Sequence, residues 1–200
     1  MASEIHDFQF VAGHLALDFV NTVAFRADPE KCEDRLQRAE DVLRWVRQAQ
    51  LADVAAVDSG PRMSAATLRH IRDVREEVFA VFYAIASGDT IPSETLARVG
   101  KAFHDCGAKR RLSVDGAEVR WTWRASARSS EYVLFPVLSA AIDLLTSASL
   151  GAIRQCEAED CGWLFLDRSN ARKRRWCSMA DCGNRNKARN HYRREAGLTR

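Results

Sequence analysis

CEAEDCGWLFLDRSNARKRRWCSMADCGNRNKARNHYRR, residues Cys156 to Arg194, holds four of the six cysteines of this 200-residue chain. They fall as two matched pairs, Cys156-x4-Cys161 and Cys177-x4-Cys182, fifteen residues apart. Two such pairs suit a tetrahedral Zn²⁺ held by thiolates, a closed structural site in which all four positions are protein. Four unrelated thiols fit the spacing poorly. Iron–sulfur ligation is disfavoured because no Cys-x2-Cys run of ferredoxin type occurs. The N-terminus, MASEIHDF, is acidic and lacks an apolar signal segment, so the chain is expected in the cytoplasm, where thiols stay reduced.

Around the cysteines the charge is one-sided. Residues 151–200 carry 12 basic and 6 acidic residues, whereas residues 1–150 carry 18 and 21. Within 168–194 the count is 10 to 1. Arg168, Arg172, Lys173, Arg174 and Arg175 fall between the cysteine pairs. Arg185, Lys187, Arg189, Arg193 and Arg194 follow on a predicted helix, with Arg185, Arg189 and Arg193 in one stripe. Trp163–Leu166 reads as a strand, and a second is expected through Arg175–Trp176. Knuckle, hairpin, then a knuckle leading into a helix that ends at Gly197 is a treble-clef layout. Cys156, Cys161, Cys177 and Cys182 are the expected zinc ligands, and the ten basic residues the expected nucleic-acid contacts, with almost no compensating acid nearby. Duplex DNA is preferred to RNA because only Trp176 and Tyr192 could stack on bases. An RNA-binding or ribosome-associated factor is the alternative.

The chain before Gly151 reads differently. Phe8–Val11 alternates like a short strand, and HLALDFVNTVAF then takes a helical period. The segment LQRAEDVLRWVRQAQL is an amphipathic surface helix with Leu36, Leu43, Trp45 and Val46 on its apolar side, and Asp58–Pro61 is a turn. Ser64 is the expected N-cap of a long helix stopped by Gly88, and Pro92 opens another that runs to about Cys106. Leu112 to Trp123, with Asp115-Gly116 at its middle, is a β-hairpin. An apolar helix from Ser129 to Leu150 follows. It is too interrupted, by Pro136, Asp143 and several hydroxyls, to span a membrane. The fold class is therefore mainly α (α+β): a helical N-terminal domain, residues 1–150, with one hairpin, then the zinc module, residues 151–200. With the boundary at Gly151, loss of zinc is expected to leave residues 1–150 folded.

His14, Asp18 and Asn21 share one stripe of the first predicted helix and are the candidate lining of a small-molecule pocket. The same residues could instead satisfy buried backbone, with Asp18 paired to Arg26 or Arg44. A reading of His14 and Asp18 as an enzymatic acid–base pair has no second motif behind it, so no catalysis is expected. A single recognition helix offers little base-specific surface, which favours a homodimer.

Cys182-Gly183-Asn184-Arg185, preceded by Arg174-Arg175-Trp176-Cys177-Ser178-Met179, resembles the CGNR zinc finger. Leu17-Asp18-Phe19-Val20-Asn21-Thr22 resembles the start of the ABATE domain, which precedes that finger in bacterial proteins. The resemblance implies a bacterial transcription regulator, described as stress-induced, whose finger binds DNA.

Overall fold

The computed structural model describes residues 8–51, 63–124 and 129–196. Its elements in chain order are α1 (Leu15–Val20), β1 (Val23–Ala24), β2 (Glu33–Asp34), α2 (Ala39–Gln48), α3 (Ala65–Ser87), α4 (Ser93–Gly107), β3 (Arg110–Asp115), β4 (Glu118–Trp123), α5 (Ser129–Leu145), β5 (Ile153–Gln155), β6 (Leu164–Leu166) and α6 (Asn184–Glu195). The strands form three antiparallel two-stranded ladders, β1–β2, β3–β4 and β5–β6. No helix among the described residues is long and apolar enough to cross a membrane.

Local chemistry accounts for the long elements. Ser64 Oγ accepts the Thr67 N–H at 3.1 Å, which satisfies one of the orphan donors at the start of α3. Gly88 ends that helix in the left-handed region, φ 75°. The turn joining β3 to β4 is Gly116-Ala117, one residue later than the expected Asp115-Gly116 pair, because Asp115 is itself paired with Glu118 at the end of a ladder that starts at Arg110↔Trp123. The expected strand over Phe8–Val11 is irregular chain, with the Phe8 N–H on Gln48 Oε1 at 3.1 Å. In α2 the buried apolar residues are Val42, Trp45 and Val46, so the apolar face is turned slightly from Leu43. The predicted turn at Asp58–Pro61 and the helix end at Gly197 lie outside the described residues.

α1 is the hub. Ala16, Leu17, Phe19 and Val20 are all fully buried, packed by α3 and α5 and, on the remaining side, by β6. Arg75 of α3, only 2 % exposed, fastens the β1–β2 ladder. Its guanidinium grips both Asp34 oxygens at 2.7 Å and reaches Thr22 Oγ1 at 3.1 Å and Glu76 at 2.8 Å. Such a planar bidentate pair suits a buried arginine.

Packing does not stop at Gly151. Ile153, Trp163, Leu164 and Phe165 belong to the same buried cluster as Leu17, Phe19, Ile71 and Leu138. A seam of hydrogen bonds runs along this junction. Leu166 N–H donates to Ala12 C=O at 2.8 Å, Arg26 N–H to Cys161 C=O at 3.0 Å, and Trp163 Nε1–H to Val23 C=O at 2.7 Å. Gly162 allows the close approach. Its φ is +70°, and a Cβ there would lie 2.9 Å from Arg26 Cβ and 3.0 Å from the Ala27 nitrogen.

Candidate metal centre and nucleic-acid interface

β5 and β6 bring Cys156 and Cys161 to one end of their hairpin, where Cys156 N–H donates to Trp163 C=O at 2.8 Å. β6 pairs with β5, and not with a strand through Arg175–Trp176 as expected. That segment adds a bond from Glu157 N–H to Arg175 C=O at 3.0 Å. Of the second pair, Cys182 sits in a wide turn over Met179–Gly183 and Cys177 just before it; the turn is opened by Ser178, whose Oγ accepts the Asp181 N–H at 3.2 Å. α6 starts immediately afterwards.

The four Sγ atoms lie within 4.8 Å of one another, and all four cysteines are buried. Cys161 and Cys177 are 3.7 Å apart, Cys177 and Cys182 3.4 Å. A tetrahedron with metal–sulfur bonds of about 2.3 Å has sulfur–sulfur edges of roughly 3.8 Å, so the donor set fits a closed four-thiolate site. Two further donors point at the sulfurs: Cys177 N–H at 3.4 Å from Cys156 Sγ, and Arg185 at 3.2 Å from Cys182 Sγ. Without a cation the thiols conflict. Hydrogen bonding from Cys161 drives the Cys156 thiol down, while bonding with Cys156 pushes Cys161 and Cys177 far above the ordinary thiol range. A bound divalent cation removes that conflict, because every ligand must then be thiolate.

The arginine stripe of α6 is turned inward. Arg185 meets Asp160 at 3.3 Å, Arg189 meets Glu159 at 2.9 Å and Asp160 at 3.4 Å, and Arg193 meets Glu159 at 3.1 Å. Arg175 pairs with Glu157 at 2.5 Å. The compensating acid that the basic window lacks comes from the first knuckle, C-E-A-E-D-C, brought across in space. The expectation of almost no compensating acid near the stripe is thereby corrected. Arg174 is also committed, lying over the Phe165 ring at 4.5 Å and donating to Val11, Trp176 and Cys177 carbonyls. The remaining five, Arg168, Arg172, Lys173, Lys187 and Arg194, are exposed and have no carboxylate partner among the described residues.

The polar stripe of α1 is divided among separate tasks. Asn21 acts as a strand surrogate: its Nδ2–H donates to Leu164 C=O at 2.8 Å, and its Oδ1 accepts Leu164 N–H at 3.0 Å. Asp18 Oδ1 accepts Ala12 N–H at 2.9 Å. His14 has a buried Nδ1 with no partner among the described residues, and burial, then Arg168, hold its pKa below the usual value. The suggested arginine partners of Asp18 are engaged elsewhere, Arg26 with Glu76 and Arg44 with Asp41. Sequence reasoning missed a cleft at the junction of the two modules. Phe25 and Arg35 line it from one side and Trp163, Arg185 and three of the four clustered cysteines, Cys161, Cys177 and Cys182, from the other, so it adjoins the metal site. Arg35 makes no side-chain hydrogen bond among the described residues, its Nε is buried, and its nearest carboxylate is Glu33 at 4.0 Å.

Burial raises the Asp18 carboxyl from 3.8 to about 6, against the pull of the Ala12 and Val11 N–H groups. A raised folded-state pKa contributes stability that is full below the unfolded value and lost as pH rises through about 6. Ionisation of Asp18 at neutral pH therefore costs about 3 kcal/mol. Asp34, held low by Arg75 despite its burial, titrates in the opposite sense, so the comparison must be with a variant. Relative to the native chain, Asp18→Asn is expected to gain up to about 3 kcal/mol between about pH 4 and pH 7, read by urea unfolding at each pH. A pH-independent difference would contradict this.

Two family models match the chain. Residues 13–148 match ABATE, whose description reads "Putative stress-induced transcription regulator". Residues 152–195 match the CGNR zinc finger. Comparison with curated proteins gave no match. The order of the two agrees with the motifs at Leu17–Thr22 and Cys182–Arg185, and the first match alone covers more than half of the sequence. The chain belongs to the ABATE family and carries a CGNR zinc finger as its C-terminal module.

Proposed function

We propose that the chain is a zinc-containing transcription regulator that binds duplex DNA through its finger and senses a small molecule through its N-terminal module. Zinc is favoured because four buried thiolates at tetrahedral spacing are a soft, closed donor set. The observation that carries the DNA reading is the set of five cations with no carboxylate partner among the described residues: Arg168, Arg172 and Lys173 on the inter-knuckle loop, Lys187 and Arg194 on α6. A phosphate approaching them meets no carboxylate competitor among the described residues, whereas at Arg185, Arg189 and Arg193 it must displace Glu159 and Asp160. The sensing reading is supported by the junction cleft, because an occupant there touches both modules and offers acceptors to Arg35. The α1 stripe then serves as the link from that module to the finger, since Asn21 holds Leu164.

Fluorescence anisotropy of labelled duplex against salt concentration tests the reading. The double variant Lys187→Gln with Arg194→Gln is expected to lower the slope of log affinity against log salt by about 2, since each phosphate contact contributes about 0.9. Arg189→Gln is expected to leave the slope near its native value. A structured RNA that outcompetes duplex at physiological salt would replace the DNA reading with the RNA-binding one.

A further inference from the structure

Arg35, just after β2, is a largely buried cation without a counter-ion. Its side chain is 17 % exposed, and its buried Nε has no partner among the described residues. The nearest carboxylate, Glu33, stands 4.0 Å away. Asp34, its other acidic neighbour in the chain, is gripped by Arg75. A guanidinium withdrawn this far from water is ordinarily paired. What Arg35 has beside it is the cysteine cluster. Its guanidinium carbon lies 5.8 Å from the centre of the Trp163 ring. Arg35, Trp163, Cys161, Cys177 and Cys182 line one cleft of about 80 Å³, the room of roughly two or three water molecules.

Four thiolates around a divalent cation leave two net negative charges at the site. Arg185 offsets part of this, with Nη2 3.2 Å from Cys182 Sγ, but the same nitrogen is shared with Asp160 at 3.3 Å. Arg174 gives its donors to the Val11, Trp176 and Cys177 carbonyls. Asp181, also on the cleft wall, adds to the negative side. Arg35 is therefore the cation of this cleft whose donors no acceptor among the described residues claims. We infer that Arg35 is a counter-cation of the metal-loaded thiolates, so that a residue of the N-terminal module helps to retain the metal of the finger. A nearby positive charge favours thiolate over thiol, and thiolate is the form that binds metal. With the thiols protonated, Arg35 stays buried and unanswered, so loading the metal also relieves a cost in the fold. The inference rests on the reading of the cluster as a divalent four-thiolate site, and on neither DNA nor an occupant of the cleft.

Zinc dissociation constants of the full chain, read by competition with a chromophoric chelator, test it. Groups that support metal ligands from behind typically set affinity by about 10–100-fold, so Arg35→Gln is expected to raise the constant at least about tenfold. Arg35→Lys keeps the charge and is expected to stay within about threefold of the native value. Neither change removes a side-chain hydrogen bond seen among the described residues, and both variants saturated with zinc are expected to keep the native amide spectrum. Cobalt(II) in place of zinc reports on the sulfurs themselves. Loss of a nearby cation raises the energy of the sulfur electrons, so the thiolate-to-cobalt charge-transfer band is expected at longer wavelength in Arg35→Gln and at its native position in Arg35→Lys. An unchanged zinc constant in Arg35→Gln would overturn the inference. So would Arg35→Lys binding as weakly as Arg35→Gln, or a charge-transfer band that does not move in Arg35→Gln. A native chain that takes up no divalent metal would instead remove the metal reading, and this inference with it.

Discussion

Stripping the metal from the full chain is expected to unfold α1 and the helices packed on it together with the finger. Metal binding to structural four-ligand sites contributes apparent free energies of about 10–16 kcal/mol, and a domain's whole stability is about 5–15 kcal/mol. If the finger were an independent module, that loss would stay inside residues 151–200. Here Ile153, Trp163, Leu164 and Phe165 complete the core that surrounds Leu17, Phe19 and Leu138, and the Ala12, Val23 and Arg26 backbone bonds close on the same segment. Releasing the knuckles therefore exposes one side of α1. Hydrogen exchange before and after chelation measures this, with Cys177→Ser as an independent route to the same state. Collapse of protection in Leu15–Val20 is the expected result. Retained protection there, with the finger alone exchanging, would support the boundary at Gly151 expected from the sequence.

Asn21→Ala is expected to destabilise the chain by about 4 kcal/mol. The truncation strands two buried backbone groups at once, the N–H and C=O of Leu164, each costing about 1–3 kcal/mol when left unpaired. Leu164 is fully buried, so water cannot easily take over. Asn21→Asp keeps one bond but sets a carboxylate oxygen against the Leu164 carbonyl, so it is not expected to rescue. Chemical denaturation of the metal-loaded proteins measures both. A loss below about 1 kcal/mol for the alanine variant would mean that the seam relaxes and that Asn21 does not tie the modules together.

Elements with a local cause were legible in the sequence. Ser64 and Gly88 bound α3 because capping is settled within four residues. Asp115-Gly116 locates the hairpin to within one residue of its turn, and cysteine spacing alone picks out the four residues that cluster as a candidate metal site. What was not legible is long-range. Asn21 and Leu164 stand 143 residues apart, and their pair of hydrogen bonds has no local signature beyond a polar residue on an apolar helix. β5, three residues long, is too short for a pattern, and so a strand was expected later, at Arg175–Trp176. The charge window from 168 to 194 misled because the partners of its arginines lie outside it, at Glu157, Glu159 and Asp160. The clue was present in an acidic knuckle placed just before a basic helix.

That inward pairing has a consequence for encounter. A finger whose cations all faced outward would attract a polyanion from any side. Here the first knuckle carries its acids on one flank and the uncommitted cations stand on the loop and the outer side of α6. The module is an oriented charge pair, and in the field of a polyanion it experiences a torque as well as a pull. On the proposed DNA reading it arrives already turned, so that fewer collisions are lost to wrong orientations.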